Sequence, residues 1–407
     1  MTINASTPPS NNATAPGGCP GSAAGVINDP ANGDDVSGNT LTLENYDYSV
    51  HGAPNTNIIY GGFTRGTGSA KNNTVHIHEN GKVDAAYGGI TYGGGDAVGD
   101  WGYLHAGGLV NEAVSGGSVR GASGSAEDNH VVVESGTVND VIHGGEIGDT
   151  STGHVKGNTV TIAGGVINTS VYGGYNSGSG NVTGNRVTIT GGEINGSVIG
   201  GTNANAISTG SVTGNEVTIT GGKIRDHVRG GFTAGDGDVK DNIVNIGDGA
   251  HDLAAGTRIQ KSIYGGSNDG GSGTISGNIL NVKASASAQN IHNFDTINFY
   301  FTNTLSPKLT LSDTVTTINS LSNITVSGLP TAVTGTLIEN TAGTITVSDS
   351  RSSVSTTGDT AETILSTDRT GKKIDYARYI FKGARTAESG IYHTWGGRSV
   401  IGNTTTG

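Results

Sequence analysis

One phrase recurs through the first 285 residues of this 407-residue chain. Its clearest copies run from Gly157 to Gly174, Gly184 to Gly201 and Gly214 to Gly231, each reading Gly-Asn-x-Val-Thr-Ile-x-Gly-Gly-x-Ile and closing on Gly-Gly. The opening asparagine stands at Asn39, Asn73, Asn129, Asn158, Asn185, Asn215, Asn242 and Asn278, with gaps of 34, 56, 29, 27, 30, 27 and 36 residues. The gap of 56 is close to two periods, so one copy near residue 101 has decayed or been replaced. A period of about 28 residues marks a stacked architecture, because a unit this small buries its apolar face only against a neighbouring copy.

Within a copy, Asn185-Arg186-Val187-Thr188-Ile189-Thr190 alternates with period 2, the mark of a strand with one buried face. Gly191-Gly192 turns the chain, Ile194 sits in a second short run and Val198 opens a third. Aligned copies give three inward columns. They are Val75, Val131, Val160, Val187, Val217, Val244 and Leu280; Ile77, Val133, Ile162, Ile189, Ile219, Ile246 and Val282; and Ile59, Ala86, Ile142, Val171, Val198, Val228 and Ile263. β-Branched residues dominate, as stacked strands favour. The expected fold is all-β, a parallel and right-handed β-helix with coils of about 28 residues. The asparagine shares the parity of the inward valines, so it is expected to stack as a buried ladder near one corner, about 4.8 Å per coil.

The chain divides into a polar arm over residues 1–35, repeats over 36–290, and a C-terminal β-rich cap or autochaperone-like region over 291–407, where glycine thins and Asn293 to Phe301 brings aromatics. Residues 92–125 depart from the phrase and read either as a projecting insertion or as a degenerate coil. The formal net charge is −12 with no basic cluster, which argues against nucleic-acid binding. No run approaches 18 apolar residues, so no membrane span is expected. The single cysteine, Cys19, excludes an internal disulfide framework and reads as a free surface thiol. Residues 1–25 have no apolar stretch and are not read as a signal peptide.

The phrase, together with Asn293-Phe294-Asp295-Thr296-Ile297-Asn298-Phe299-Tyr300-Phe301, resembles the glycine-rich repeats of bacterial autotransporter-type passenger domains over roughly residues 36–301. The resemblance implies an extracellular or cell-surface β-helical adhesin, stalk or filament unit, excised from its leader and outer-membrane barrel. Partners are expected to be host or bacterial surface glycans or proteins, or another copy bound head to tail through the run Ala23 to Ile27. The alternative is a carbohydrate-active β-helix, such as a tailspike-like depolymerase or a polysaccharide lyase.

Candidate chemistry is sparse. Hydrolysis of a glycosidic bond needs two facing carboxylates, and Glu134, Glu193 and Glu216 are scattered. No catalytic residue and no cofactor is assigned, and the chain is read as a non-enzyme. His76 and His78 point outward from one strand, but no third metal ligand is visible. Asp236, Asp238 and Asp241 alternate with glycine as weak calcium candidates, with Lys240 opposing them. Otherwise no metal site is expected. Tyr60, Tyr87, His143, Tyr172 and Tyr264 follow the third inward column and form a possible exposed binding stripe. The parity assignment has a direct test. Val187→Asp should abolish cooperative folding, since an unpaired buried carboxylate costs several kcal/mol, whereas Thr188→Asp should shift the thermal midpoint little. Equal effects would overturn the strand parity.

Overall fold

The computed structural model describes residues 2–3, 33–45, 47, 58–329, 333–349, 354–356 and 361–380. It is a β-solenoid of parallel strands whose coils are about 28 residues long. A reference coil has four strands, Val182–Thr183, Arg186–Ile189, Glu193–Ile194 and Val198–Asn203. Equivalent strands of successive coils pair in register. They build a 9-stranded sheet from the first strands, a 12-stranded sheet from the second, a 7-stranded sheet from the third and a 9-stranded sheet from the fourth. The pair Val182–Thr183, which precedes the phrase, is thus a strand of its own.

All three expected inward columns are buried. Val187, Ile189 and Val198 pack against the same positions of the coils above and below. Fully burying one such side chain stabilises by about 1.5–3 kcal/mol. The first-strand residues Val155, Val182, Val212 and Val239 form a second, smaller cluster with Val119 and Ile147.

The asparagine falls between the first and second strands. Asn158, Asn185, Asn215 and Asn242 are fully buried and linked in series. The backbone N–H and the side-chain amide of Asn185 both donate to Asn215 Oδ1, at 3.0 and 2.9 Å, and the same amide donates to the carbonyl of Val155 at 3.1 Å. Asn215 repeats this toward Asn242 and Val182. Each net bond contributes about 0.5–1.5 kcal/mol, and losing one leaves a buried polar group exposed to the larger desolvation cost.

Two glycine positions make the ladder possible. The residue before each asparagine is left-handed, with φ 64° at Gly184 and Gly214, and Asp128 and Asp241 occupy the same position at φ 51° and 57°. Asp and Asn are the side chains that best tolerate this region. The second glycine of each closing pair leaves space for the ladder, since a Cβ on Gly201 would lie 2.6 Å from Asn215 Oδ1.

Residues 92–125 are not a projecting insertion. They supply a full coil, with strands at Ala97–Val98, Trp101–Leu104, Leu109–Val110 and Val114–Val119, in register on both sides. The absent ladder residue is Asp100, 27 residues after Asn73 and 29 before Asn129. The repeats also run past residue 290. Thr296–Tyr300 and Ile324–Ser327 extend the 12-stranded sheet, and the core continues through Phe299 and Leu309. Among the described residues, antiparallel pairing appears only at the end, where Lys373–Ile380 lies between Thr334–Asn340 and Ala361–Thr367. Of the N-terminal arm, Thr2–Ile3 pairs with Thr42–Leu43 as the outermost strand. Cys19 and the run from residue 23 to 27 lie outside the described residues.

Asp100 is an acid in an amide slot. Its Oδ1 accepts from the N–H and side-chain amide of Asn73 at 2.7 and 2.9 Å, as an asparagine would. Its Oδ2, where the donating NH2 belongs, is buried without a hydrogen-bond partner. Burial pushes this carboxyl up to about 7, against the opposing hydrogen bonds from Asn73. The folded state therefore keeps a proton that the unfolded chain releases near pH 4. The stability tied to Asp100 is complete below that pH and falls as pH rises to about 7, by up to about 4 kcal/mol. Asp100→Asn should flatten that slope in urea melts between pH 4 and 8, and should raise stability at pH 8 by about 1–3 kcal/mol. An unchanged slope, or a less stable variant, would refute this account of the ladder.

Candidate functional site

The expected stripe over the fourth strands does not form an open surface. Tyr60, Tyr87 and His143 are buried, and only Tyr172 and Tyr264 remain half-exposed. The cause is the glycine pair. Strand pairing passes from Tyr172 to Gly174 and omits Gly173, which breaks the alternation. Residues on both sides of the pair consequently face outward. A second column, Phe63, Ile90, Ser118, Glu146, Tyr175 and Thr202, thus stands beside the first. The two columns close over the bare glycines. Tyr60 stacks on Tyr87 at 5.8 Å and tilts against Phe63 at 5.2 Å, while Tyr172 meets Tyr175 edge-on at 5.1 Å.

Within this belt, Glu146 is buried between Arg120, His143 and Ser118. Burial alone would raise its pKa, but the charges of His143 and Arg120 and hydrogen bonds from His143 and Ser118 outweigh it and hold the carboxylate at about 2. Glu146 in turn raises the pKa of Arg120, and burial raises that of Tyr87. These groups join neighbouring coils and bind one another.

The calcium candidates are likewise engaged by neighbouring turns. Asp236 Oδ1 accepts from the N–H and hydroxyl of Ser272 at 2.7 and 2.9 Å. Asp238 pairs with Lys240 at 2.6 Å and accepts from the N–H of Thr274 at 2.8 Å. Asp241 is the left-handed residue before Asn242. A second, exposed amide ladder, absent from the sequence reading, joins Asn111, Asn139, Asn168 and Asn195 at another corner. Its signal is the Asn that follows the Val or Ile ending the third strand in four consecutive coils. Beside it, Asp84, Glu112 and Asp140 stand on consecutive coils, and burial together with both neighbours raises the pKa of Glu112.

The outer face of the 12-stranded sheet carries a different cluster. Three adjacent coils place His76 and His78, then Trp101, Tyr103 and His105, then His130 and Glu134 on that face. All are half-buried except Glu134, which is exposed. The rings stack across coils. Trp101 lies 3.9 Å from His130, His76 lies 4.7 Å from Tyr103 at 10°, and His78 lies 4.1 Å from His105 at 7°. Their faces are mostly taken by one another, so the edges, with their ring nitrogens and hydroxyl, are what the patch presents. Burial, then the neighbouring His105, lowers the pKa of His76 and of His78, and burial lowers that of His130. His76 and His78 were singled out from sequence. Trp101, Tyr103 and His105 fall within residues 92–125, which depart from the phrase, and the sequence signal for them is the 27-residue step from Asn73 to Asp100.

No protein-family profile, curated protein or solved structure matches this chain.

The belt around Glu146 predicts an acid-side loss. A carboxyl held low in the folded state contributes stability that is complete above its unfolded pKa and is lost as pH falls from about 4.5 toward 2. Glu146→Gln should lower stability at pH 7 by about 3 kcal/mol and remove most of that acid slope in denaturant melts. An unshifted melt would show that the buried pair contributes nothing.

Proposed function

We propose that this chain is a non-enzymatic, secreted or cell-surface β-solenoid of the autotransporter-passenger kind, acting as an adhesive or structural rod. The observation that carries the reading is the patch of Trp101, Tyr103 and the surrounding histidines on the broad face of the 12-stranded sheet. Half-buried aromatic rings gathered on one face of a rigid scaffold are the chemistry of a contact surface. Because ring stacking occupies the faces and offers the edges, a protein surface suits the patch better than a sugar ring, which needs an open aromatic face. The net charge of −12 suits a hydrated exterior.

A second reading, a carbohydrate-active β-helix, draws on the row Asp84, Glu112 and Asp140, where Glu112 has the raised pKa expected of a general acid. One set of measurements separates the two. The full chain, labelled, should bind intact cells. Trp101→Ala/Tyr103→Ala should cut that binding at least about tenfold while keeping its thermal midpoint, in line with the loss of a hot spot worth 2 kcal/mol or more. Protease treatment of the cells should abolish binding. Loss on glycosidase treatment instead would reassign the patch to glycans. Oligosaccharide release from a polysaccharide panel, abolished by Glu112→Gln, would replace the adhesive reading with the enzymatic one.

A further inference from the structure

His76 and His78 lie on one coil and His105 on the next. Ile77 pairs with Leu104, so the residues that follow, His78 and His105, stand side by side. One ring nitrogen from each of the three histidines falls within 4.8 Å of the other two, the only such convergence of three metal-ligating side chains among the described residues. His76 Nδ1 is 3.0 Å from His105 Nε2, and His105 Nδ1 is 2.9 Å from Glu134 Oε2. An ionised carboxylate only accepts, so the proton of His105 sits on Nδ1 and its Nε2 lone pair accepts from the Nδ1–H of His76, a proton that moves to the other nitrogen of His76 when a cation takes its place. A carboxylate behind an imidazole in this way is the arrangement that fixes tautomer and ring orientation in metal-binding histidines.

We propose that His76, His78 and His105 form a binding site for a borderline divalent transition ion of the zinc type, with Glu134 positioning His105. Three imidazole nitrogens suit zinc, nickel or copper and disfavour magnesium and calcium, which take oxygen ligands. Bonds of about 2.0–2.1 Å require the three nitrogens to draw together to about 3.3 Å. The 7° stacking of His78 on His105 must therefore open into a fan by rotation about χ2, which half-exposed rings permit. All three ligands come from the outer face, which leaves the fourth position toward solvent for water or for a group from a partner. The ion would join two consecutive coils and so stabilise the stack by mass action.

The test uses the full chain, purified without a histidine tag, stripped with chelator and titrated with zinc chloride by calorimetry. Expected is one ion per chain at micromolar Kd or tighter, with a rise in thermal midpoint. His105→Ala and His78→Ala should each weaken binding by about tenfold or more, and Glu134→Gln by about 10–100-fold, with partial recovery in Glu134→Asp. His251→Ala, at an exposed histidine outside the patch, should bind as the parent does. Cobalt in place of zinc should give visible ligand-field bands that Glu134→Gln shifts, which a merely structural role for Glu134 would not do. Melts of the metal-free variants within a few degrees of the parent separate lost ligands from lost folding. Absence of saturable zinc binding, binding that survives both histidine substitutions, or equal loss in His251→Ala would each overturn the site. None of these outcomes bears on adhesion through Trp101 and Tyr103, so the two proposals fail separately.

Discussion

The structure depends on one contact, an asparagine amide seated against a glycine that has no side chain to displace it. The amide closes hydrogen bonds to the coil on either side, and the glycine of the fourth strand leaves the space the amide occupies. The two most visible features of the phrase, Gly-Asn at its start and Gly-Gly at its close, are therefore parts of one device. It also explains why spacing between copies varies from 27 to 36 residues without loss of register. Only the residues near the ladder and the four strands are fixed. Extra residues, as between Ile246 and Arg258, leave the stack as loops between strands that still pair.

This device makes the fold legible from sequence, because every constraint it imposes falls on residue type. Left-handed backbone selects Gly, Asn or Asp, the close approach selects Gly, and the interior selects Val or Ile. Asp100 breaks the run of asparagines in the sequence but not in the structure, because an acid is nearly isosteric with the amide and its Oδ1 keeps the amide's accepting role while Oδ2 goes unpaired. Its coil then looked irregular, since the outward positions beside it hold Trp101 and Tyr103 where other coils hold Thr159 and Thr161 or Arg186 and Thr188.

The site was less legible for the same physical reason. Outward positions carry no ladder or core constraint, so nothing in the repeat says which of them meet. His76 and His78 pair by parity within one run, but His105 joins them only through inter-coil register, which depends on residues 101–104 being a strand of the stack. The tyrosine stripe failed differently. Its parity was right, yet exposure does not follow from parity where Gly173 drops out of the pairing and a second outward column closes over the first. Outward on a strand means exposed only when the flanking residues point the other way.

One coil thus carries both departures from the repeat, the acid within the ladder and the stacked rings on the outer face. Coils on either side, with Asn73 and Asn129 in the ladder, keep the interior rule and contribute histidines to the same patch. A sequence selected for stacking alone has no reason to put a buried carboxyl at residue 100 or two large aromatics beside it, because both work against a uniform repeat. Local violations of an otherwise consistent pattern tend to gather at functional sites, where stability is given up for chemistry. In this solenoid the violations gather in the coil that begins at Asp100, and the convergent histidine nitrogens join that coil to the one before it.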